Sequence, residues 1–117
     1  MGNNDFDKEE LARWYSTYIV CYWCEKNYAD CWHHICGRSG EFNNSILNAY
    51  AINNFECHLP NHPKLKRKEN RIRMLGQVLK YLLGNGYQFN RIDVGFIAAH
   101  SDLYEEVLKQ KKNENKK

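Results

Sequence analysis

Four of the chain's five histidines stand within thirty positions, at 33, 34, 58 and 62, and this spacing restricts the fold more than any other feature. His58 and His62 lie four apart, so one helical turn projects both imidazoles from the same face. That is a common way of presenting two nitrogen ligands to one metal ion. His33 and His34 are adjacent, and on a regular strand adjacent side chains point to opposite faces. Both can serve one site only at a strand end or an irregularity, and Gly37 gives the strand a reason to stop. His100 stands apart beside Ala98 and Ala99 and reads as an ordinary helix residue.

The surrounding pattern supplies elements for these residues. Asp7 followed by Glu10 resembles a capping box, and Leu11, Trp14, Tyr15 and Tyr18 repeat at helical spacing, which predicts a helix over 7–19 with an aromatic inner face. Cys21-Tyr-Trp-Cys24 reads as a tight knuckle, and 29–36 as a short strand. Residues 37–40, with two glycines, read as a loop. The stretch 43–54 predicts a loop and a second short strand. Pro60 and Pro63 keep the helix carrying His58 and His62 short, because proline is tolerated only in a first turn. Ile72, Leu75, Val78, Leu79 and Leu82 mark an amphipathic helix over about 66–83 that stops at Gly84-Asn85-Gly86. A last helix is expected from Asp93 to about Gln110, with Phe96, Ile97, Leu103 and Val107 inward. Residues 111–117 are expected to be a disordered tail.

No repeat or linker divides the 117 residues, so 1–117 reads as a single domain. No window approaches the ~18 apolar residues that span a bilayer. The polar, acidic start is unlike a secretory leader, and a cytoplasmic location is expected. An odd count of five cysteines in a reducing compartment argues against a disulfide framework and for metal ligands or buried thiols. The net charge of +3 is small, but six of the ten residues from Lys64 to Arg73 are basic: Lys64, Lys66, Arg67, Lys68, Arg71 and Arg73. Such a stretch serves either as a solvated helix face or as a source of phosphate-backbone contacts.

In order, Cys21-x2-Cys24, His33-His34-Ile35, Gly37-Arg38, Leu47-Asn48 and Cys57-His58-x3-His62 resemble the motif of HNH nucleases, over about residues 21–62. The likeness is to the colicin-type arrangement and to small phage-encoded relatives. It implies a ββα-metal, treble-clef-like core; with the helices read above from apolar spacing, one before it and two after, the expected fold is α+β. It also implies His33, His58 and His62 as ligands of a catalytic divalent metal (Mg, Mn, Ni or Zn), His34 as general base, and Asn48 as the residue bracing the hairpin loop. Asn44 and Asn53 are alternatives for that last role, because the interval from Asn48 to His58 is one longer than the family pattern. Arg38 is a candidate clamp on a phosphate oxygen. Many relatives also hold a structural zinc with two Cys-x2-Cys pairs; here Cys21, Cys24 and Cys57 are present and Asn54 stands in the fourth place, so Cys31 or Cys36 would have to substitute.

The expected activity is endonucleolytic hydrolysis of DNA, leaving 5′-phosphate and 3′-hydroxyl ends, in a prokaryotic or phage setting. The chemistry is coherent on its own terms: a neutral imidazole, ordinarily titrating near ~6.5, takes a proton from water, while a cation stabilises charge developing on phosphate. The alternative is a non-catalytic zinc-binding adaptor for DNA or protein, in which the same cysteines and histidines only hold the fold.

Overall fold

The computed structural model describes residues 6–16 and 18–115. Strand β2 (Ala49–Ile52) is the most enclosed element, with all four residues buried. Its Ala-Tyr-Ala-Ile run, without polar alternation, is what a strand covered on both faces requires. It pairs antiparallel with β1 (Cys31–His34), His33 opposite Tyr50 and His34 opposite Ala49. Among the described residues, this two-stranded sheet and five helices make a mixed α+β arrangement. A 3-10 turn (Ile46–Asn48) leads into β2, and a π turn (Asn54–His58) leads out of it into α2 (Leu59–Leu65).

Ahead of the sheet, α1 spans Lys8–Trp14. Asp7 caps it, accepting from the Glu9 and Glu10 amides. The Glu10 carboxylate does not close the expected box; it accepts from the Tyr87 hydroxyl at 2.9 Å. The helix ends five residues earlier than periodicity predicts, because Tyr15 turns extended (φ −124°) and buries its ring against Tyr81, 4.8 Å between centroids. The Tyr81 hydroxyl donates to the Trp14 carbonyl at 2.7 Å, satisfying a group that the helix end leaves open. Tyr18, expected inward, is 76% exposed. Thr17, within the same expected helix, lies outside the described residues.

After α2, the long helix α3 (Lys68–Gly84) buries Ile72, Met74, Leu75, Val78, Leu79 and Leu82 against the sheet and the last helix. The single terminal helix expected from 93 to 110 is two. Helix α4 (Arg91–Ala99) starts with a complete Asn90–Asp93 capping box, and α5 runs from Ser101 to Asn115. His100 leaves helical geometry (φ −122°, ψ 36°), its ring 4.7 Å from that of Phe96, so it is a junction and not an ordinary helix residue. The redirected α5 brings Leu103, Tyr104 and Val107 into the core. The segment expected to be a disordered tail thus enters α5 as far as Asn115; Lys116 and Lys117 lie outside the described residues. No described helix is long and apolar enough to cross a membrane.

Candidate metal centre

Pro60 shapes the segment that carries the histidines. It offers no amide to the Glu56 carbonyl four residues back, and its ring would crowd that carbonyl in a regular α-helix. The chain answers by widening into a π turn, in which the Cys57 and His58 amides both bond to the Asn53 carbonyl, at 3.1 and 2.9 Å. His58 closes this turn and His62 follows on α2, with ring centroids 5.3 Å apart. His33, on β1 and 7% exposed, faces them at 5.0 Å from His58 and 6.0 Å from His62. One ligand nitrogen from each of the three lies within 4.8 Å of the others.

The hydrogen bonding suits a cation. His58 Nδ1 donates to the Asn54 amide oxygen at 3.0 Å, which turns the unprotonated Nε2 towards His33 Nδ1, 3.2 Å away. In one tautomer His33 donates to His58. In the other, two lone pairs face each other, and only a positive ion between them makes that favourable. The separation is close to the ~3.3 Å edge of a tetrahedron with zinc–nitrogen bonds of ~2.0–2.1 Å. His33 Nε2 is buried with no hydrogen-bond partner. Burial first, then the neighbouring imidazoles and Arg71, hold His33 down to about 3, and burial also lowers His58. Both are therefore neutral, as ligands must be.

His34 ends β1 and lines the same cleft of about 370 Å³ as His33, His58 and His62. Its ring stacks on Phe6 at 4.1 Å and 15°. Arg38 also lines the cleft. The loop between them and β2 is tied by buried asparagines. Asn48 accepts from the Cys36 amide at 2.7 Å and donates to the Gly37 and Asn43 carbonyls at 3.1 and 2.8 Å. Asn43 donates to the carbonyls of Cys36, Gly37 and Ser39. Gly37 (φ +83°) and Gly40 (φ +134°) supply backbone angles that other residues rarely adopt, and a Cβ at Gly40 would meet the Asn43 amide at 2.9 Å. Asn53 does not brace this loop; it caps the π turn through Glu56 and donates to the Tyr28 carbonyl.

Cys21, Cys24 and Cys57 form a second group, with sulfurs within 4.8 Å of one another. An isolated bridge between Val20 and Tyr28 closes the knuckle, and Glu25 adopts a left-handed turn (φ 59°). The Asn27 and Lys26 amides donate to Cys24 Sγ and lower that thiol to about 7, while burial pushes Cys57 up to about 12. Cys57 and His58 are neighbours on one turn, so a single segment serves both groups. Neither Cys31 nor Cys36 joins the three thiols. Cys31 Sγ lies 3.4 Å from the Ile52 carbonyl and 3.8 Å from Asn54 Oδ1. Asn54 itself addresses His58. Three thiols and three imidazoles are thus each able to hold a metal ion such as zinc, the thiol group with one position short of closed tetrahedral coordination.

The basic stretch divides. Lys66 and Arg71 line the cleft, Arg73 lies over the Trp23 ring at 4.8 Å, and Lys64, Arg67 and Lys68 are exposed where α2 meets α3. Sequence reasoning missed Asn54, Asn43 and Phe6. The i, i+4 spacing of Asn54 and His58 was a usable signal for the first; no local pattern announces the other two. Compared with protein-family models, curated proteins and solved structures, the chain finds no match in any of the three.

Proposed function

We propose that this chain is a metal-dependent endonuclease of the HNH type that hydrolyses DNA phosphodiester bonds. The observation that carries the reading is the convergence of His33, His58 and His62 within 4.8 Å, in a cleft that His34 also lines. The order strand, strand, helix, with imidazoles from the first strand, from the turn that opens the helix and from the helix itself, is the order of a ββα-metal core. A divalent cation held by the three imidazoles would supply positive charge to the scissile phosphate and to the leaving oxygen.

The remaining work falls to the chain's own residues. His34 takes a proton from the attacking water, its ring plane held by Phe6. Asn48 and Asn43 hold the loop between β1 and β2, and so the direction of His34. Arg38 at the cleft wall draws a phosphate oxygen towards the imidazoles. A zinc ion on Cys21, Cys24 and Cys57 would tie the knuckle to the π turn.

The test is cleavage of plasmid DNA with Mg²⁺, Mn²⁺, Ni²⁺ or Zn²⁺ added to the metal-free chain, repeated with His34→Ala. Cutting with at least one metal, lost by a factor of about 10²–10⁴ in a folded His34→Ala protein, is the expected result. The second reading, a zinc-binding adaptor for DNA or protein, draws on the three-thiol group, which serves folding and not chemistry. Metal-dependent folding without any cleavage by the wild type would favour it.

A further inference from the structure

Arg71 stands at the end of the first turn of α3 and lines the cleft beside His33, His58 and His62. Its Nε is buried without a hydrogen-bond partner. No carboxylate of the described residues forms an ion pair with it. Burial dominates the titration of His33, Cys36 and His100, lowering the two imidazoles and raising the thiol, and the nearby Arg71 charge adds a smaller push against the protonated form of each. Asp102 acts on Cys36 and His100 in the opposite sense, but it is exposed on α5 and forms no ion pair with the guanidinium. A half-enclosed guanidinium with an unmet donor carries a desolvation cost that an anionic guest removes.

The rest of the basic stretch differs. Arg73, two residues on, is occupied by the face of Trp23. Arg67 and Lys68 are exposed and lie outside the cleft wall. Lys66, at the C-terminal end of α2, is the one other member of the stretch that lines it. The six cations that look equivalent in sequence therefore separate into two in the cleft and four outside it.

We propose that Arg71, with Lys66 beside it, forms an anion seat that takes the non-bridging oxygens of a phosphodiester or phosphate group next to the imidazoles. The choice of ligand rests on the phosphodiesterase reading, while the seat itself needs no metal. Guanidinium presents parallel N–H donors that match two phosphate oxygens, and Lys66 adds a mobile point charge at the rim.

The probe is inorganic phosphate, titrated calorimetrically at low salt into the full chain freed of metal by chelator. The wild type is expected to bind. Arg71→Gln is expected to weaken binding tenfold or more, Arg71→Lys by less, and Arg67→Ala by less than twofold. Lys66→Ala, at an exposed position that the core does not use, is expected to weaken it about threefold and carries the test should Arg71→Gln fail to fold. Absence of phosphate binding by the wild type, equal affinity in Arg71→Gln, or an equal loss in Arg67→Ala would overturn the seat. The two readings fail separately. Metal-dependent cleavage with Arg71-independent phosphate binding removes the seat alone, and Arg71-dependent phosphate binding in a chain that cuts no DNA removes the nuclease alone.

Discussion

Asn54 accepts a hydrogen bond from His58 Nδ1 at 3.0 Å, and by doing so decides which nitrogen of His58 looks towards His33. The residue that occupies the place of a fourth thiolate thus belongs to the imidazole group instead. Partners of this kind fix the tautomer and ring orientation of a ligating histidine.

Removing that acceptor is predicted to weaken the histidine site. Asn54→Leu should lower nickel or zinc affinity by about 10–100-fold in calorimetric titration. Asn54→Asp keeps an acceptor at the same reach and should retain most of it. Equal affinity in the leucine variant would mean that His58 is oriented by its backbone turn alone.

Asn48 is predicted to matter for stability as much as for chemistry. It is fully buried and makes three hydrogen bonds to the backbone of residues 36–43. Asn48→Ala removes all three bonds and leaves the Cys36 amide and the Asn43 carbonyl unpaired, while the Gly37 carbonyl still accepts from Asn43, at roughly 1 kcal/mol per bond lost, or about 3 kcal/mol together. A fall in Tm of roughly 10 °C is the measurable consequence. An unchanged melting temperature would show that water replaces the amide without loss.

Acid is predicted to destabilise the metal-free protein through His33. Its folded value, about 3, lies below the ordinary 6.5, so the unfolded chain takes the proton first as pH falls. The stabilising contribution of the neutral ring is complete above pH ~6.5 and declines towards pH ~3, at up to about 1.4 kcal/mol per pH unit. Urea unfolding between pH 7 and pH 4 reads this slope. His33→Phe should flatten it, and an identical slope in that variant would place the titration elsewhere.

The two metal groups are predicted to load independently. Cobalt(II) titration of the wild type should show thiolate charge-transfer absorption, which Cys24→Ser abolishes while the stoichiometry falls from two ions to one. His62→Ala should remove the other ion and leave the thiolate band. Retention of both ions in Cys24→Ser would exclude the three-thiol group as a metal site.

Much of this was written locally in the chain. The i, i+4 pair His58/His62, the Cys21-x2-Cys24 knuckle and the periodic apolar face of α3 depend on neighbours within one turn, so spacing alone predicts them. The ends of elements were less legible. Tyr15 leaves α1 because its ring stacks on Tyr81, and His100 breaks the last helix where its ring meets Phe96 and, at 3.4 Å, the Asn43 amide. Tyr81 and Asn43 lie dozens of residues from the positions they act on.

The order of residues alone told which side chains carry nitrogen and sulfur ligands, that adjacent His33 and His34 could share a site only at a strand end or an irregularity, and that Pro60 would disturb the helix bearing His58. Packing between distant segments makes these groups meet, gives Asn54 to histidine and not to a thiol cluster, and parts Arg71 and Lys66 from their basic neighbours. The reason is physical. Periodicity fixes which face of an element a residue occupies, whereas the partner opposite that face is chosen by packing between segments that the chain order leaves far apart.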